Sequence, residues 1–344
     1  MRIDHYLTPG PLAGVGDEVR RAARLGFDGV MAAETSHDPF LALTAAATAA
    51  PGIELGTAVT VVFARSPMTV AYAAWDLAAF SGGRFLLGLG TQIRAHIVGR
   101  FAMPWSAPVP RMREYIAALR AIWAAWQGDE PLRFRGDHYR FSLMTPVFDP
   151  GPIERPDIPI LLAAVGPGMC RLVGEAAQGI HVHPFHTRRY VDEVVGPAIA
   201  EGAARSGRDP AAVTRVATLF VVTGHDDDEM ERSAAGARHR IAFYASTPAY
   251  REVLNIHGWD VGDELTARSK RGDWKEMAEL IDDEMLEAVA VVAPPEQLAS
   301  AIANRCDGIV DRLGLVFGAG GELREDELAS LVEALSTARQ PERS

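Results

Sequence analysis

Three closely spaced histidines are the first residues whose types suggest chemistry. His181, His183 and His186 lie in the segment His-Val-His-Pro-Phe-His, at the end of a predicted strand. His181 and His183 are two positions apart, so on one strand they point to the same side and could bind a metal as a pair. No Asp or Glu residues are grouped nearby, and an imidazole ordinarily titrates near neutral pH. We therefore predict that His183 and His186 handle protons.

A second polar segment, Glu34-Thr-Ser-His-Asp-Pro-Phe40, follows the second predicted strand. Asp38 precedes a proline, which is typical of a helix N-cap and the first helical residue after it. Thr35, Ser36 and His37 lie before that cap and leave polar groups at the end of the strand. We predict His37 as a third proton-handling residue.

A turn that could hold a phosphate follows the predicted strand Ile160–Ala164. The chain continues Val-Gly-Pro-Gly-Met, in which Gly166 lets the backbone turn and a proline takes the first helical position. Free N–H groups near Gly168 and Met169, with the helix dipole behind them, would suit a phosphate. An ordinary strand-to-helix turn is the alternative interpretation.

Two glycine-containing segments predict strands that leave room for a flat ligand. Gly56-Thr-Ala-Val-Thr60 has small residues at the end of a strand, and Arg65 follows it. Ser81-Gly-Gly-Arg-Phe-Leu-Leu-Gly-Leu-Gly-Thr-Gln92 enters another strand that ends in Gly-Leu-Gly. Arg65 could serve an anionic group or could be a solvated loop residue.

These candidate residues need strands whose carboxyl ends meet at one face. Short, mostly apolar runs typical of buried parallel strands alternate with helical patterns along the chain. The predicted strands are Arg2–Leu7, Gly29–Ala33, Glu54–Val61, Phe85–Leu89, Ile160–Ala164, Gly179–His183, Val216–Val222 and Arg312–Val316. The predicted helices are Val15–Leu25, Leu41–Ala50, Thr69–Phe80, Met112–Trp126, Met169–Ala177 and Val191–Arg205. Strands followed by helical segments in this number predict an α/β fold, the (β/α)8 TIM barrel, with a doubly wound sheet as the second choice.

The pattern predicts a single barrel domain over residues 1–340 that carries two insertions. Alternating aromatic residues around Gly136-Asp137 predict a hairpin near 131–143. A charged segment with helical pieces near 246–287 is the second insertion, and residues 341–344 are expected to form a frayed tail. Residues Met103–Pro110 contain three prolines and are predicted as an ordered loop.

Composition excludes several classes of protein. The chain has 344 residues, a net charge of −11 and 48% hydrophobic residues, with no tract of Lys or Arg. We therefore expect no binding to nucleic acid or to anionic membranes. Two cysteines cannot form a disulfide framework, and no apolar run is long enough to cross a bilayer, so we expect a cytoplasmic enzyme.

An ordered set of motifs resembles a known family. Gly56-Thr-Ala-Val, Arg65-Ser-Pro67 and Ser81-Gly-Gly-Arg-Phe-Leu-Leu-Gly-Leu-Gly90 are similar to the core signature of the bacterial luciferase-like superfamily. Within it, the chain resembles the coenzyme F420-dependent oxidoreductases, which use a deazaflavin. The resemblance continues through Arg113-Glu-Tyr115 and the turn after Ile160–Ala164, so it covers nearly the whole chain.

The resemblance implies a luciferase-like barrel, usually dimeric, that binds a flavin-like ring at its carboxyl mouth. It implies a non-prolyl cis peptide bond between Ala58 and Val59. It also implies cofactor contacts at Glu34, Thr35, Ala58, Val59, Thr60, Thr91, Gln92, His96, Val165, Gly166, Gly168 and Met169. The expected reaction is hydride transfer between C5 of the deazaflavin and a small organic substrate, without a metal.

The sequence also departs from relatives that oxidise sugar phosphates. Their acidic glutamate corresponds here to Ile93, which cannot donate a proton, and their phosphate-binding lysines have no counterpart. We therefore expect a different substrate. Three alternatives remain: a monooxygenase that uses flavin mononucleotide (FMN), a metal-dependent barrel hydrolase that uses His181 and His183, and a flavin-binding protein without turnover.

Overall fold

The architecture is a closed barrel of parallel strands surrounded by helices. The computed structural model describes residues 1–128 and 130–337, so the predicted tail at 341–344 lies outside the described residues. The strands are β1 (Arg2–Tyr6), β2 (Gly29–Ala32), β3 (Glu54–Thr57), β4 (Thr60–Val61), β5 (Phe85–Gly90), β6 (Phe134–Arg135), β7 (Arg140–Phe141), β8 (Ile160–Ala164), β9 (Gly179–Val182), β10 (Thr214–Val222), β11 (Ala290–Val292) and β12 (Arg312–Phe317). Within the described residues, eight of them close the barrel in the order β1-β2-β3-β5-β8-β9-β10-β12, and β12 pairs back with β1.

The helices cover the outside of the barrel and build its carboxyl rim. They are α1 (Leu12–Arg24), α2 (Pro39–Ala49), α3 (Pro67–Phe80), α4 (Arg94–Gly99), α5 (Pro108–Gln127), α6 (Pro167–Ala176), α7 (Arg188–Tyr190), α8 (Gly196–Arg205), α9 (Asp227–Ala245), α10 (Arg251–Asn255), α11 (Gly262–Arg271), α12 (Trp274–Ala278), α13 (Asp283–Val289), α14 (Pro295–Cys306) and α15 (Glu325–Thr337). A π-helical turn, Val191–Val195, joins α7 to α8. None of the helices in the described part of the chain is long and apolar enough to cross a membrane.

The sequence predicted all eight barrel strands, and the TIM barrel is confirmed. One further strand, β11, was missed. It pairs with the last part of β10, which extends beyond the end of β9. The prediction of a loop over Met103–Pro110 was wrong at its end, because α5 begins at Pro108. Prolines are tolerated in the first helical turn, where the backbone N–H has no helical partner to lose.

Both expected insertions contain the predicted kinds of element. In the first, β6 and β7 form an antiparallel hairpin in which Phe134 pairs with Phe141. The second, residues 246–287, is called the insertion below. It contains a 3₁₀ turn at Pro248–Tyr250, then α10, α11 and α12, and the first part of α13.

A buried ion network closes the amino end of the barrel. Arg312, the first residue of β12, donates from Nε to Asp4 Oδ2 at 2.9 Å, and its other nitrogens bond Asp4 and Glu54. Arg312 and Asp4 are both buried. Burial raises the pKa of Asp4, while its hydrogen bonds and charge contact with Arg312 act in the opposite direction. The network ties β1, β3 and β12 together at the end opposite the expected site.

Replacing Arg312 with Met should destabilise the fold by about 3–5 kcal/mol, because Asp4 is left as a buried charge without its partner. Equilibrium denaturation measures the change. Arg324→Met is the control, since Arg324 forms surface ion pairs worth about 1 kcal/mol or less. Adding Asp4→Asn to Arg312→Met should recover part of the loss. Equal effects of Arg312→Met and Arg324→Met would contradict this assignment.

Candidate active site at the carboxyl end of the barrel

The closed barrel brings the predicted site segments to one face. In a parallel barrel all strands end at the same rim, where loop residues build the site. Segment 34–38 follows β2, 58–60 follows β3, 91–96 follows β5, 165–169 follows β8 and 183–186 follows β9. The structure therefore places the candidate residues of these five segments at the same rim.

The segment after β3 has the backbone form that the resemblance implied. The peptide bond between Ala58 and Val59 is cis. Thr60 is fully buried, and its Oγ1 has no hydrogen-bond partner among the residues that the structure describes. A buried hydroxyl without a partner is costly unless a ligand or water satisfies it. Thr60 thus offers a polar contact at the barrel mouth.

The glycines of the barrel strands have a different role from the predicted one. A Cβ on Gly56 would lie 2.4 Å from Met31 Sδ, one on Gly88 would lie 1.8 Å from the Thr57 carbonyl oxygen, and one on Gly90 would lie 2.5 Å from Val59 Cγ2. These glycines admit neighbouring protein atoms. The expectation that they leave room for a ligand face was wrong.

Glu34 organises the loop after β2. Its carboxylate accepts from the backbone N–H of Val61 at 2.8 Å and from Arg65 Nη2 at 2.8 Å. Arg65 also bonds Asp38 Oδ2 at 2.8 Å. Both carboxylates contribute to raising the pKa of Arg65. Arg65 therefore clamps two acidic side chains of the protein itself. The sequence analysis had suggested either a contact with an anionic group of a ligand or a solvated side chain.

The rest of this loop is open to solvent. Thr35 and His37 are exposed, and the carbonyl of Thr35 accepts a hydrogen bond from Arg100. Asp38 Oδ1 accepts from the backbone N–H of Phe40 at 2.8 Å, so the predicted N-cap of α2 is confirmed. His37 is thus held at the rim by the cap that follows it.

The segment after β5 forms a tight polar turn. Gln92 has φ of 57°, in the left-handed region, and its Oε1 accepts from the backbone N–H of Ile93 at 2.9 Å. Thr91 Oγ1 donates to the carbonyl of Gln92 at 3.0 Å. His96 is exposed on α4. Thr91 and Gln92 are half-buried, with their side chains fixed locally.

The turn after β8 has the predicted backbone form, with one correction. Gly166 is the N-cap of α6 and carries no side chain that could cap the helix. A Cβ at Gly166 would meet no atom within 4 Å, and one at Gly168 would meet only Val109 Cγ2 at 3.5 Å. The N–H of Met169, expected to be free, donates to the Gly166 carbonyl at 3.1 Å. The open side of this turn still faces space that an anion could occupy.

His183 and His186 are linked and have fixed hydrogen positions. The backbone N–H of Phe185 donates to His183 Nδ1 at 3.1 Å, so a neutral His183 carries its hydrogen on Nε2. His186 Nδ1 lies 2.8 Å from the His183 carbonyl oxygen and donates to it, which leaves Nε2 of a neutral His186 as an acceptor. The two imidazoles therefore offer one donor and one acceptor.

The sequence analysis chose His183 and His186 because an imidazole ordinarily titrates near neutral pH, and that reason was wrong. Burial lowers the pKa of His183 to about 3 and that of His186 to about 4. Burial likewise lowers the pKa of His181 to about 4, while its hydrogen bond with the Thr57 backbone acts in the opposite direction. Near pH 7 all three rings are neutral. They can donate or accept hydrogen bonds, but they do not titrate at working pH.

Residues of the insertion and its neighbour α9 pack on His183. The ring centroid of His183 lies 4.3 Å from that of Tyr250 and 4.6 Å from that of Tyr244. Sequence reasoning missed Tyr250. It also missed Tyr190, whose hydroxyl donates to the Val165 carbonyl in the turn after β8, and Glu252, which contacts Tyr190. Tyr250 and Glu252 lie far from this turn in sequence and carry no local signal.

The geometry gives no support to a metal-dependent hydrolase. Over residues 1–128 and 130–337, no group of three or more His, Cys, Asp or Glu side chains is arranged to hold a metal ion. His181 instead lies inside the barrel: a Cβ on Gly88 would be 2.7 Å from its Nε2.

Comparisons with known proteins identify the family of this chain. The luciferase-like monooxygenase family matches residues 2–312. An uncharacterized protein of Mycobacterium tuberculosis is 50% identical over 315 residues, covering 91% of this chain and 93% of the relative. The F420-dependent glucose-6-phosphate dehydrogenase of Intrasporangium calvum is 30% identical over 314 residues, covering 85% and 84%. The coenzyme F420-dependent tetrahydromethanopterin reductase of Methanopyrus kandleri has a similar structure, with a TM-score of 0.79, 22% identity and coverage of 97% and 98%.

The chain therefore belongs to the luciferase-like monooxygenase family. It is an oxidoreductase of that family, and its barrel is the fold of the family's solved members.

The buried histidines predict how stability depends on pH. Their folded-state pKa values lie below the unfolded value near 6.5, so the unfolded chain binds more protons and unfolding becomes easier as pH falls from about 6.5 toward 4. Each histidine changes the free energy of unfolding by up to about 1.4 kcal/mol per pH unit. In His186→Gln, the loss of unfolding free energy between pH 7 and pH 5 should be about 2 kcal/mol smaller than in the wild type. Denaturant titrations at both pH values measure it, and identical losses would contradict the assignment.

Proposed function

We propose that this protein is an F420-dependent oxidoreductase that transfers a hydride between C5 of the deazaflavin and a small organic substrate. The observation that carries the proposal is the open turn at Gly166 and Gly168, which presents the amino end of α6 at the barrel mouth. An F420-dependent relative at 30% identity supports the choice of cofactor. By resemblance, we also propose a homodimer that works in the cytoplasm.

The residues present fit such a cofactor. The unpaired Oγ1 of buried Thr60 offers a hydrogen bond at the mouth, and the turn after β8 offers backbone N–H groups to a phosphate. In this proposal the ring and its arm contact Glu34, Thr35, Ala58, Val59, Thr60, Thr91, Gln92 and His96, and the phosphate contacts Val165, Gly166, Gly168 and Met169.

When bound, a deazaflavin supplies the hydride chemistry, and the protein supplies orientation and proton handling. His183 is the main candidate for a catalytic residue, because its Nε2–H can donate to a substrate oxygen while Phe185 fixes the ring. His186 holds the His183 backbone through its Nδ1–H. His37 is the exposed candidate on the opposite loop.

Aromatic packing gives His183 its dry surroundings. Tyr244 meets the imidazole edge to face at an interplanar angle of 83°, and Tyr250 covers it at 35°. Both rings keep water from His183 and favour its neutral form. Because a low-dielectric setting strengthens a hydrogen bond, Nε2–H can polarise a carbonyl or hydroxyl oxygen of the substrate. A sugar phosphate is not the proposed substrate, since Ile93 replaces the acid of those relatives.

Cofactor binding tests the proposal. Fluorescence titration of the wild type with F420 and with FMN should give saturable binding of F420. Gly166→Ala should fold normally, because its φ of −70° suits alanine and its Cβ meets no protein atom. Its methyl group should lower F420 affinity about tenfold or more by filling the space beside the turn.

Gly52→Ala is the matched control, since a Cβ there also meets no atom within 4 Å. It should bind F420 as the wild type does. Saturable FMN binding without F420 binding would overturn the proposal in favour of an FMN-dependent monooxygenase.

The role of His183 predicts a split between binding and turnover. Replacing His183 with Leu removes the Nε2–H donor and should lower the reduction rate about 10²-fold, with F420 affinity within about twofold of the wild type. His183→Gln keeps an N–H donor and should recover part of the rate. Stopped-flow oxidation of reduced F420 by a panel of enones, imines and aldehydes measures the reduction rates of both variants. Equal rates in His183→Leu and the wild type would exclude His183 as the donor.

A further inference from the structure

The insertion reaches the turn after β8 through one tyrosine. Tyr190 Oη lies 2.9 Å from the Val165 carbonyl oxygen and 3.2 Å from Glu252 Oε2 on α10. A carboxylate of the insertion is therefore connected, through a single phenol, to the peptide unit that enters the proposed phosphate turn.

The negative charge of Glu252 acts on the groups that contact the Val165 carbonyl. Burial is the largest cause of the raised pKa values of Tyr190 and Cys170, and the negative charge of Glu252 is the second. Cys170 lies on α6, and its Sγ is 3.5 Å from the Val165 carbonyl oxygen. The field of Glu252 thus reaches the first turn of the helix whose amino end faces the proposed phosphate position.

The turn after β8 carries little positive charge that could offset the negative charge of Glu252. A helix amino end is equivalent to about half an elementary charge. Residues 160–170 contain no Lys or Arg, and the first cation of α6, Arg171, pairs with Glu201 at 3.4 Å. One carboxylate near the turn therefore exceeds the helix dipole in formal charge.

We propose that Glu252 is a specificity-determining residue that favours a phosphodiester arm over a terminal phosphate at this turn. This inference rests on the proposed function. The phosphate of F420 is a diester with one negative charge, whereas that of FMN is a monoester with a charge of about −1.5 to −2 at pH 7. Each negative charge placed at the turn is repelled by Glu252, so the monoester is penalised about twice as strongly on a logarithmic scale.

The size of the effect follows from distance and screening. Glu252 is exposed, so its repulsion acts through a high dielectric. Over a separation of roughly 8–10 Å this is worth about twofold in affinity per negative charge at low ionic strength, and less in salt. The penalty is then about twofold for a diester and about fourfold for a monoester.

Glu252→Gln tests this, with Glu279→Gln as the matched control that removes the same charge from another exposed glutamate of the insertion. Fluorescence titrations at low ionic strength give the affinities of FMN, riboflavin, F420 and the deazaflavin nucleus without its phosphate arm. In Glu252→Gln the FMN-to-riboflavin affinity ratio should rise about fourfold, and the F420-to-nucleus ratio about twofold. Glu252→Lys should raise both ratios further, and the control should leave them unchanged.

The outcomes separate the two proposals. Unchanged ratios in Glu252→Gln, with F420 still bound, overturn the role of Glu252 and leave the proposed function standing. A higher FMN ratio in a protein that does not bind F420 supports Glu252 and overturns the proposed function. Binding of none of the four compounds overturns both. A gain that persists at about 1 M salt, where the Debye length is about 3 Å, also excludes a charge effect.

Discussion

Closure of eight parallel strands determines which side chains fit between the strands and where the loops meet. It leaves so little space between neighbouring strands that Gly88 must lack a side chain, because a Cβ there would overlap the Thr57 carbonyl. Thr57 then bonds both the carbonyl and the N–H of Gly88, at 2.7 and 2.9 Å. The same closure brings five polar loops to one rim and leaves the ion network of Arg312 at the other. Stability and chemistry are thus concentrated at opposite ends of the barrel.

One short stretch of the insertion contacts both parts of the proposed site. Tyr250 packs on His183, and two residues later Glu252 meets Tyr190 beside the turn after β8. The stretch therefore affects the group proposed to contact substrate and the group proposed to hold the cofactor arm. Since the residue that we propose to determine specificity lies on an added segment, the barrel itself can stay constant while specificity changes.

Burial changes what the histidines can do. An isolated imidazole near pH 7 exchanges protons readily, but a desolvated one resists charging and serves as a hydrogen-bond donor or acceptor with a fixed tautomer. His183 and His186 are held in this way by Phe185 N–H and by a backbone carbonyl. The chemistry that we propose for them is the orientation and polarisation of a bound oxygen.

The eight barrel strands and the N-cap at Asp38 can be predicted from the amino-acid sequence, because both depend on residues close together in the chain. The sequence also located the cis bond at Ala58-Val59 through family resemblance. Only the folded contacts show that Arg65 clamps Glu34 and Asp38, that the strand glycines admit protein atoms, and that Glu252 meets Tyr190 beside the turn after β8. These features depend on desolvation and on contacts between residues 25 to 62 positions apart, and no local pattern encodes either.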